Sequence, residues 1–104
     1  MRQWLNGAAL VALTSVLGTS SLFAADQAVV ERYNKTCSIC HGSGVANAPK
    51  FGDAAQWQPR LAKGTDALLA SVKNGLNAMP PRGMCMDCSD ADYKALIDFM
   101  STGK

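Results

Sequence analysis

The chain has 104 residues and a formal net charge of +2, and hydrophobic residues make up 48% of the sequence. This length allows one small domain, and the near-neutral charge gives no support for binding to nucleic acid or to an anionic membrane surface. Four cysteines and one histidine limit the metal and redox chemistry available to the chain.

Residues 1–25 are typical of a secretory signal peptide. One positive charge at Arg2 precedes an apolar stretch over residues 8–17, and small residues follow. Cleavage at the end of this segment would leave an exported mature domain over residues 26–104. A retained membrane anchor is the alternative, because no charge occurs between Arg2 and Asp26. However, serine, threonine and glycine dilute the second half of the stretch, and a bilayer span requires about 20 mostly apolar residues. We therefore expect cleavage and no stable membrane insertion afterwards.

The mature chain begins with a helical pattern. Val29, Val30 and Tyr33 fall on one side and charged residues on the other, which predicts a helix over residues 27 to about 35. This helix leads directly into the next motif.

Residues 37–41 form the motif C-x-x-C-H, which is typical of haem attachment. The thiols of Cys37 and Cys40 can add across the two vinyl groups of haem and become thioethers. His41 would then lie beneath the iron, where its imidazole can bind. The motif predicts one covalently bound haem c, whose burial would supply apolar surface that a domain of this size lacks.

Two short helices are predicted after a loop over residues 42–49. Asp53 can cap the first, which would extend through Trp57 because Pro59 limits it. Thr65 or Asp66 would cap the second. Gly75 would end this helix, whose predicted buried residues are Leu68, Leu69 and Val72.

Ser89 is predicted to cap the last helix, which would run from residue 90 to about residue 101. Asp92 occupies the third helical position, as an acidic variant of a capping box. The apolar stripe of this helix consists of Tyr93, Leu96, Ile97 and Met100. Since no segment shows convincing strand alternation, we expect an all-α fold of three to four short helices around the haem, with the first and last helices packed together.

The iron needs a second axial ligand, and the chain has no second histidine. Met1 lies in the signal and Met100 on the stripe of the last helix, which leaves Met79, Met84 and Met86. Met79 is favoured because two prolines follow it and fix the backbone that presents its thioether. Met84 is the next candidate. A methionine ligand favours ferrous iron and suits an electron carrier.

A second C-x-x-C pair occurs at Cys85 and Cys88. A zinc site shared with Cys37 and Cys40 would have to close across the 44 residues 41–84, which is far longer than the loop of a compact zinc ribbon. A local disulfide is favoured in an exported protein. A thioredoxin-like thiol switch is the sharper alternative, although no β-α-β pattern surrounds the pair.

Three further residues are candidates for contacts with the haem group or its ligand. The carbonyl of Pro49 could accept a hydrogen bond from the ring nitrogen of His41 that does not bind iron. Trp57 and Arg60 could donate hydrogen bonds to a haem propionate. The alternatives are an ordinary loop proline, a tryptophan packed on the core and a solvated arginine.

Five segments together resemble the bacterial cytochrome c5 family, and they extend through nearly the whole mature domain. The segments are CSICH (37–41), APK (48–50), WQPRLAKG (57–64), KNGLNAMPPRG (73–83) and CMDCSD (85–90). The haem signature alone is generic for c-type cytochromes. The Met-Pro-Pro run followed by a second C-x-x-C is much more specific.

This resemblance implies a class I cytochrome c fold over residues 26–104, with one haem and the axial ligands His41 and Met79. It also implies a disulfide between Cys85 and Cys88 and one-electron transfer in the periplasm. Both axial positions would be filled by protein side chains, so we expect an electron carrier and not an enzyme. Its expected partners are membrane or periplasmic redox proteins that dock transiently.

Two alternatives to a free carrier remain. A gas-binding or peroxidatic haem protein would require the methionine ligand to be absent or labile. The domain could also be a subunit or an electron-input domain of a larger oxidase or reductase.

Overall fold

The structure is a computed structural model that describes residues 11–14 and 26–104. Most of the predicted signal peptide therefore lies outside the described residues, and its cleavage stays a prediction. Within the described ranges, no helix is both long and apolar enough to cross a membrane.

The described chain is helical and contains no strand, which confirms the predicted all-α class. Five segments are α-helical: α1 (Gln27–Arg32), α2 (Ser38–His41), α3 (Ala54–Leu61), α4 (Thr65–Asn74) and α5 (Asp90–Thr102). A π-helical turn at Tyr33–Cys37 joins α1 to α2, and 3₁₀ turns occur at Val45–Asn47 and Pro81–Met84.

The first helix is longer than predicted, because α1, the π turn and α2 follow one another without a break up to His41. The hydroxyl of Thr36 donates to the carbonyl of Arg32 at 2.7 Å, one turn earlier in the helix. Single π turns within α-helices often mark functional sites. Here the turn immediately precedes the haem signature.

The α3 helix begins as predicted but does not stop before Pro59. The carboxylate of Asp53 accepts the Gln56 amide at 3.1 Å, and the helix continues to Leu61 with Pro59 inside it. Proline removes one hydrogen bond, to the carbonyl four residues earlier. That residue is Ala55, which is exposed, so water can take the place of the missing donor.

The start of α4 corrects the predicted cap. Gly64 occupies the N-cap position with φ +93°, Thr65 is the first helical residue, and no side chain caps the helix. Gly75 ends it, as predicted, with φ +85°. The three apolar side chains of this helix lie only partly buried against the core: Leu68, Leu69 and Val72.

The α5 helix agrees closely with its prediction. Ser89 and Asp92 form a complete capping box, with the Asp92 amide bonded to the Ser89 hydroxyl at 3.2 Å and the Ser89 amide to the Asp92 carboxylate at 2.9 Å. All four residues of the predicted stripe are buried: Tyr93, Leu96, Ile97 and Met100.

The first and last helices pack together, as expected. Arg32 and Asp92 form an ion pair of 3.0 Å between α1 and α5. Beside it, the rings of Tyr33, Phe51 and Phe99 form a cluster with centroid separations of 4.8 to 5.4 Å. These contacts fix the helix that carries the haem signature against the C-terminal helix.

Candidate functional site

A cavity of 330 Å³ separates the end of the first helix from the loop that follows α4. Cys37, Cys40 and His41 line one side, and Met79 and Met84 come from the loop. The structure thus brings the predicted attachment cysteines, the histidine and the favoured methionine to one space.

His41 is buried and its ring is oriented by a hydrogen bond. Its Nδ1 atom lies 2.8 Å from the carbonyl oxygen of Pro49, which is the contact considered in the sequence. A carbonyl can only accept, so Nδ1 carries the proton and Nε2 keeps its lone pair for a metal. The backbone of His41 also accepts the Phe51 amide at 2.8 Å, which fixes the same loop.

The thiols of Cys37 and Cys40 are not paired with each other or with another cysteine. Burial raises the pKa of the Cys37 thiol, and a contact of 3.4 Å with the Thr36 hydroxyl opposes this shift in part. Both cysteines line the cavity beside His41, where a covalently attached group would contact all three residues.

Met79 is presented by a tight turn. The amide of Leu76 bonds to the carbonyl of Met79 at 3.1 Å, and the reverse bond measures 2.9 Å. Pro80 then adopts an extended conformation and Pro81 starts the 3₁₀ turn. The two prolines and the paired backbone restrict the chain on both sides of the Met79 thioether.

Two glycines pack against this turn, and sequence reasoning did not assign them a part in the site. A Cβ atom at Gly75 would lie 2.9 Å from the Met79 carbonyl oxygen and 3.1 Å from the Pro81 ring. A Cβ atom at Gly83 would lie 3.1 Å from the terminal methyl of Met79. The positive φ of Gly75 was foreseeable as a helix end, but the closeness of Met79 was not.

The structure does not favour the propionate contact predicted for Trp57. The single N–H of its indole ring donates to the carbonyl of Lys50 at 2.8 Å, and the buried ring stacks on His41 with a centroid separation of 5.6 Å. Trp57 therefore supports the loop after Pro49 and the face of the histidine ring.

Arg60 does lie at the cavity. Its guanidinium donates to the carbonyl of Gln56 at 2.6 Å and approaches that of Asn47 at 3.5 Å. Because a guanidinium has five N–H donors, these contacts leave others for an anionic group in the cavity.

The second cysteine pair has a different environment. The structure contains a disulfide between Cys85 and Cys88, and both residues are buried. Ser89 follows Cys88 where a haem signature would have histidine. Since the two sulfur atoms are bonded to each other, the structure does not favour their use as zinc ligands.

The donor set suits a haem group. Two thiols at the attachment spacing, an imidazole with its Nε2 available and a thioether from the loop after α4 line one cavity. The two thiols are the groups that attach haem c, and histidine with methionine is the axial pair typical of cytochromes c.

Known proteins match this chain along the same region. Residues 24–100 match the family described as cytochrome C oxidase, cbb3-type, subunit III. Cytochrome c5 of Azotobacter vinelandii is 58% identical over 69 residues, which cover 64% of this chain and 83% of that protein. Cytochrome c-555 of Chlorobaculum tepidum is 34% identical over 98 residues, which cover 89% of this chain and 90% of that protein.

Two solved structures that are similar to this chain are also cytochromes c. A mono-haem ferrocytochrome c from Shewanella putrefaciens has a TM-score of 0.65 and 62% identity, covering 73% of this chain and 94% of that one. The cytochrome c match from an electron-transfer complex of nitrite reductase with cytochrome c has a TM-score of 0.66 and 47% identity, covering 75% of this chain and 95% of that one.

The fold, the cavity and these relatives define a monohaem c-type cytochrome of class I, an electron carrier with one covalently bound haem c. Within that class, the chain belongs to the cytochrome c5 family.

Proposed function

We propose that this cytochrome is a periplasmic one-electron carrier with His41 and Met79 as its axial ligands. The observation that carries the proposal is that both residues line one cavity together with Cys37 and Cys40. Bound haem supplies the redox couple, and the side chains determine its environment. The Pro49 carbonyl orients His41 and strengthens its donation, whereas the Met79 thioether favours the reduced state.

Both axial positions would be filled by side chains of the protein, which leaves no open site for a substrate. This arrangement suits electron transfer and not catalysis at the metal. We propose that Arg60 stabilises a haem propionate through its remaining N–H groups, because it lies at the cavity edge.

Partners are proposed to be membrane or periplasmic redox proteins. The neighbour solved with nitrite reductase is an example of a related cytochrome that docks with a redox enzyme. Transient electron-transfer contacts commonly bury less than about 1,200 Å².

Export would place the domain in an oxidising compartment, where the Cys85–Cys88 disulfide persists. The composition of residues 1–25 supports cleavage, with a mature N-terminus at Ala25 or Asp26. N-terminal sequencing of the protein from the periplasmic fraction tests this. Recovery of the uncleaved chain in membranes would favour an anchor.

Carbon monoxide separates the carrier from a gas-binding or peroxidatic protein. We expect the reduced protein at neutral pH not to bind it, because Met79 occupies the sixth position. The control is Met79→Ala, which should bind it readily. Binding by the unmodified protein would contradict the proposed ligation.

A second candidate function is an electron-input domain of a larger oxidase, which the family description of the match over residues 24–100 favours. The mass of the native complex distinguishes the two. A free carrier elutes at the mass of one small domain, and a subunit elutes with its enzyme.

A further inference from the structure

Tyr93 is almost completely buried, with 2% of its surface exposed, although it carries a hydroxyl group. The hydroxyl donates to the carbonyl of Cys85 at 2.6 Å and accepts a weaker contact of 3.4 Å from the Arg82 guanidinium. Tyr93 lies on α5 and is not among the residues that line the cavity. Its two polar contacts both reach the segment that follows Met79.

That segment has an unusual backbone. Arg82, Gly83 and Met84 have φ values of +67°, +56° and +69°, although only the middle residue is glycine. A left-handed conformation at non-glycine residues is unfavourable and persists only where the surroundings enforce it. The Cys85 amide closes this turn on the Arg82 carbonyl at 2.9 Å.

The left-handed turn directly contacts the proposed ligand. Gly83 approaches the terminal methyl of Met79 so closely that a Cβ atom there would lie 3.1 Å from it. Tyr93 contacts the residues on both flanks of this contact, Arg82 and Cys85. Removal of the Tyr93 hydroxyl would therefore alter the backbone that packs on Met79.

We propose that Tyr93 is a positioning residue for Met79: its hydroxyl stabilises the left-handed turn at Arg82, Gly83 and Met84, which keeps the thioether at the iron. This inference rests on the proposed axial role of Met79. Tyr93 itself contacts neither the cavity nor the ligand sulfur, and it acts through the turn.

The test compares Tyr93→Phe with Tyr33→Phe in the haem-loaded protein. Tyr33 is another buried tyrosine, whose ring packs on Phe51 and Phe99. Imidazole added to the oxidised protein competes with Met79 for the iron, so its apparent affinity measures how readily Met79 leaves. The midpoint of global unfolding is measured for each variant.

Tyr93→Phe should raise the affinity for imidazole about fivefold, the change that one hydrogen bond of ordinary strength represents. Tyr33→Phe should leave that affinity unchanged, whatever its effect on global unfolding. Arg82→Gln removes the weaker contact and should produce a smaller rise. It also keeps the inference testable if Tyr93→Phe gives too little protein.

An imidazole affinity that is unchanged in both Tyr93→Phe and Arg82→Gln would overturn the inference. So would an equal rise in Tyr33→Phe, because the effect would then reflect global stability. The unmodified oxidised protein must first show the near-infrared band of methionine bound to ferric iron. If that band is missing, the proposed ligation by Met79 fails, which is a different result.

Discussion

The His41 ring is fixed from two directions by neighbouring loop and helix residues. Its Nδ1 atom donates to the Pro49 carbonyl at 2.8 Å, and its face stacks on Trp57, which in turn donates to the carbonyl of Lys50. Trp57 thus supports both the ring and the loop that supplies the acceptor. Trp57 is not among the residues that line the cavity, so we expect it to influence the histidine through these contacts alone.

Replacing Trp57 tests this dependence. Trp57→Phe keeps an aromatic face but removes the N–H that fixes Lys50, so the adjacent Pro49 carbonyl should bond His41 less well. A weaker bond makes the imidazole a poorer donor to ferric iron, and the reduction potential should rise. A redox titration measures it. A lower potential would contradict the assigned direction of the effect.

Met79 is expected to determine the spectrum and the potential. Met79→Ala should abolish the near-infrared band of the oxidised protein and lower its potential. Met79→His should also lower the potential, because imidazole favours ferric iron more strongly than a thioether does. Met84→Leu is the matched control, since Met84 lines the same cavity, and it should keep the band. Loss of the band in Met84→Leu alone would transfer the ligand role to Met84.

Gly75→Ala and Gly64→Ala form a matched pair. Both glycines have positive φ, +85° and +93°, with ψ of 157° and 155°, a region essentially restricted to glycine, so alanine adds a similar backbone cost of about 1–3 kcal/mol at each. Only at Gly75 does the new methyl meet the Met79 carbonyl, whereas nothing lies within 4 Å of it at Gly64. Gly75→Ala should therefore lower the free energy of unfolding further and weaken the near-infrared band. Equal effects in calorimetry and in the spectrum would show that the contact with the Met79 turn is unimportant.

The Cys85–Cys88 bond should contribute modestly to stability. Closing so short a loop is worth about 2 kcal/mol at most in the chain-entropy model. The double change to alanine should lower the free energy of unfolding by no more than this and leave electron transfer intact. A thiol assay of the unfolded protein should find no free thiol before reduction and two after it, because haem occupies Cys37 and Cys40. Loss of electron transfer with an unchanged haem spectrum would support the thiol switch.

Asp92 should make stability depend on pH in the acid range. The Ser89 backbone amide is the main cause of its lowered pKa, and the Ser89 hydroxyl and Arg32 add to the shift. The pKa of Asp92 is lower in the folded protein than in the unfolded chain. The ionised carboxylate therefore makes its full contribution to the free energy of unfolding at pH values above the unfolded pKa. This contribution is lost as pH falls through the folded pKa, below about pH 4.

The measurement is thermal unfolding at neutral and acid pH. Asp92→Asn keeps an oxygen for the Ser89 amide but loses the charge, so it should be less stable than the parent at neutral pH. The difference in stability between the parent and Asp92→Asn should become smaller at acid pH, where Asp92 of the parent is protonated. Asp98→Asn is the control, an exposed aspartate on the same helix. A difference that persists unchanged in acid would contradict an electrostatic origin.

Local signals explain which parts of the fold were predictable. Ser89 and Asp92 are three residues apart, so their capping box is visible in the sequence, and the buried stripe of α5 follows from its period. The extension of α3 past Pro59 was missed, because proline disfavours a helix but its cost depends on the exposure of the orphaned carbonyl. The cap at Gly64 was missed because a polar side chain usually takes that position.

Contacts between distant residues account for the rest. The C-x-x-C-H motif identifies the residues that attach haem. It does not predict that the indole N–H of Trp57 donates to the Lys50 carbonyl and not to a cofactor. Likewise, Tyr93 reads as one member of an apolar stripe. Its hydroxyl has a partner only because the chain returns at Cys85, and Arg32 meets Asp92 across 60 residues of sequence. No local sequence pattern predicts such contacts between residues that are distant in sequence.

The π turn at Tyr33–Cys37 has a consequence for comparing this chain with its relatives. Its i→i+5 bonding accommodates one residue more than an α-helical turn would. A relative with one residue fewer between Tyr33 and Cys37 could form a regular α-helix and still present its cysteines and histidine in the same direction. An extra residue in an α-helix without such a turn would instead rotate everything after it by about 100°. A single-residue gap at this point of an alignment is therefore compatible with an unchanged haem position.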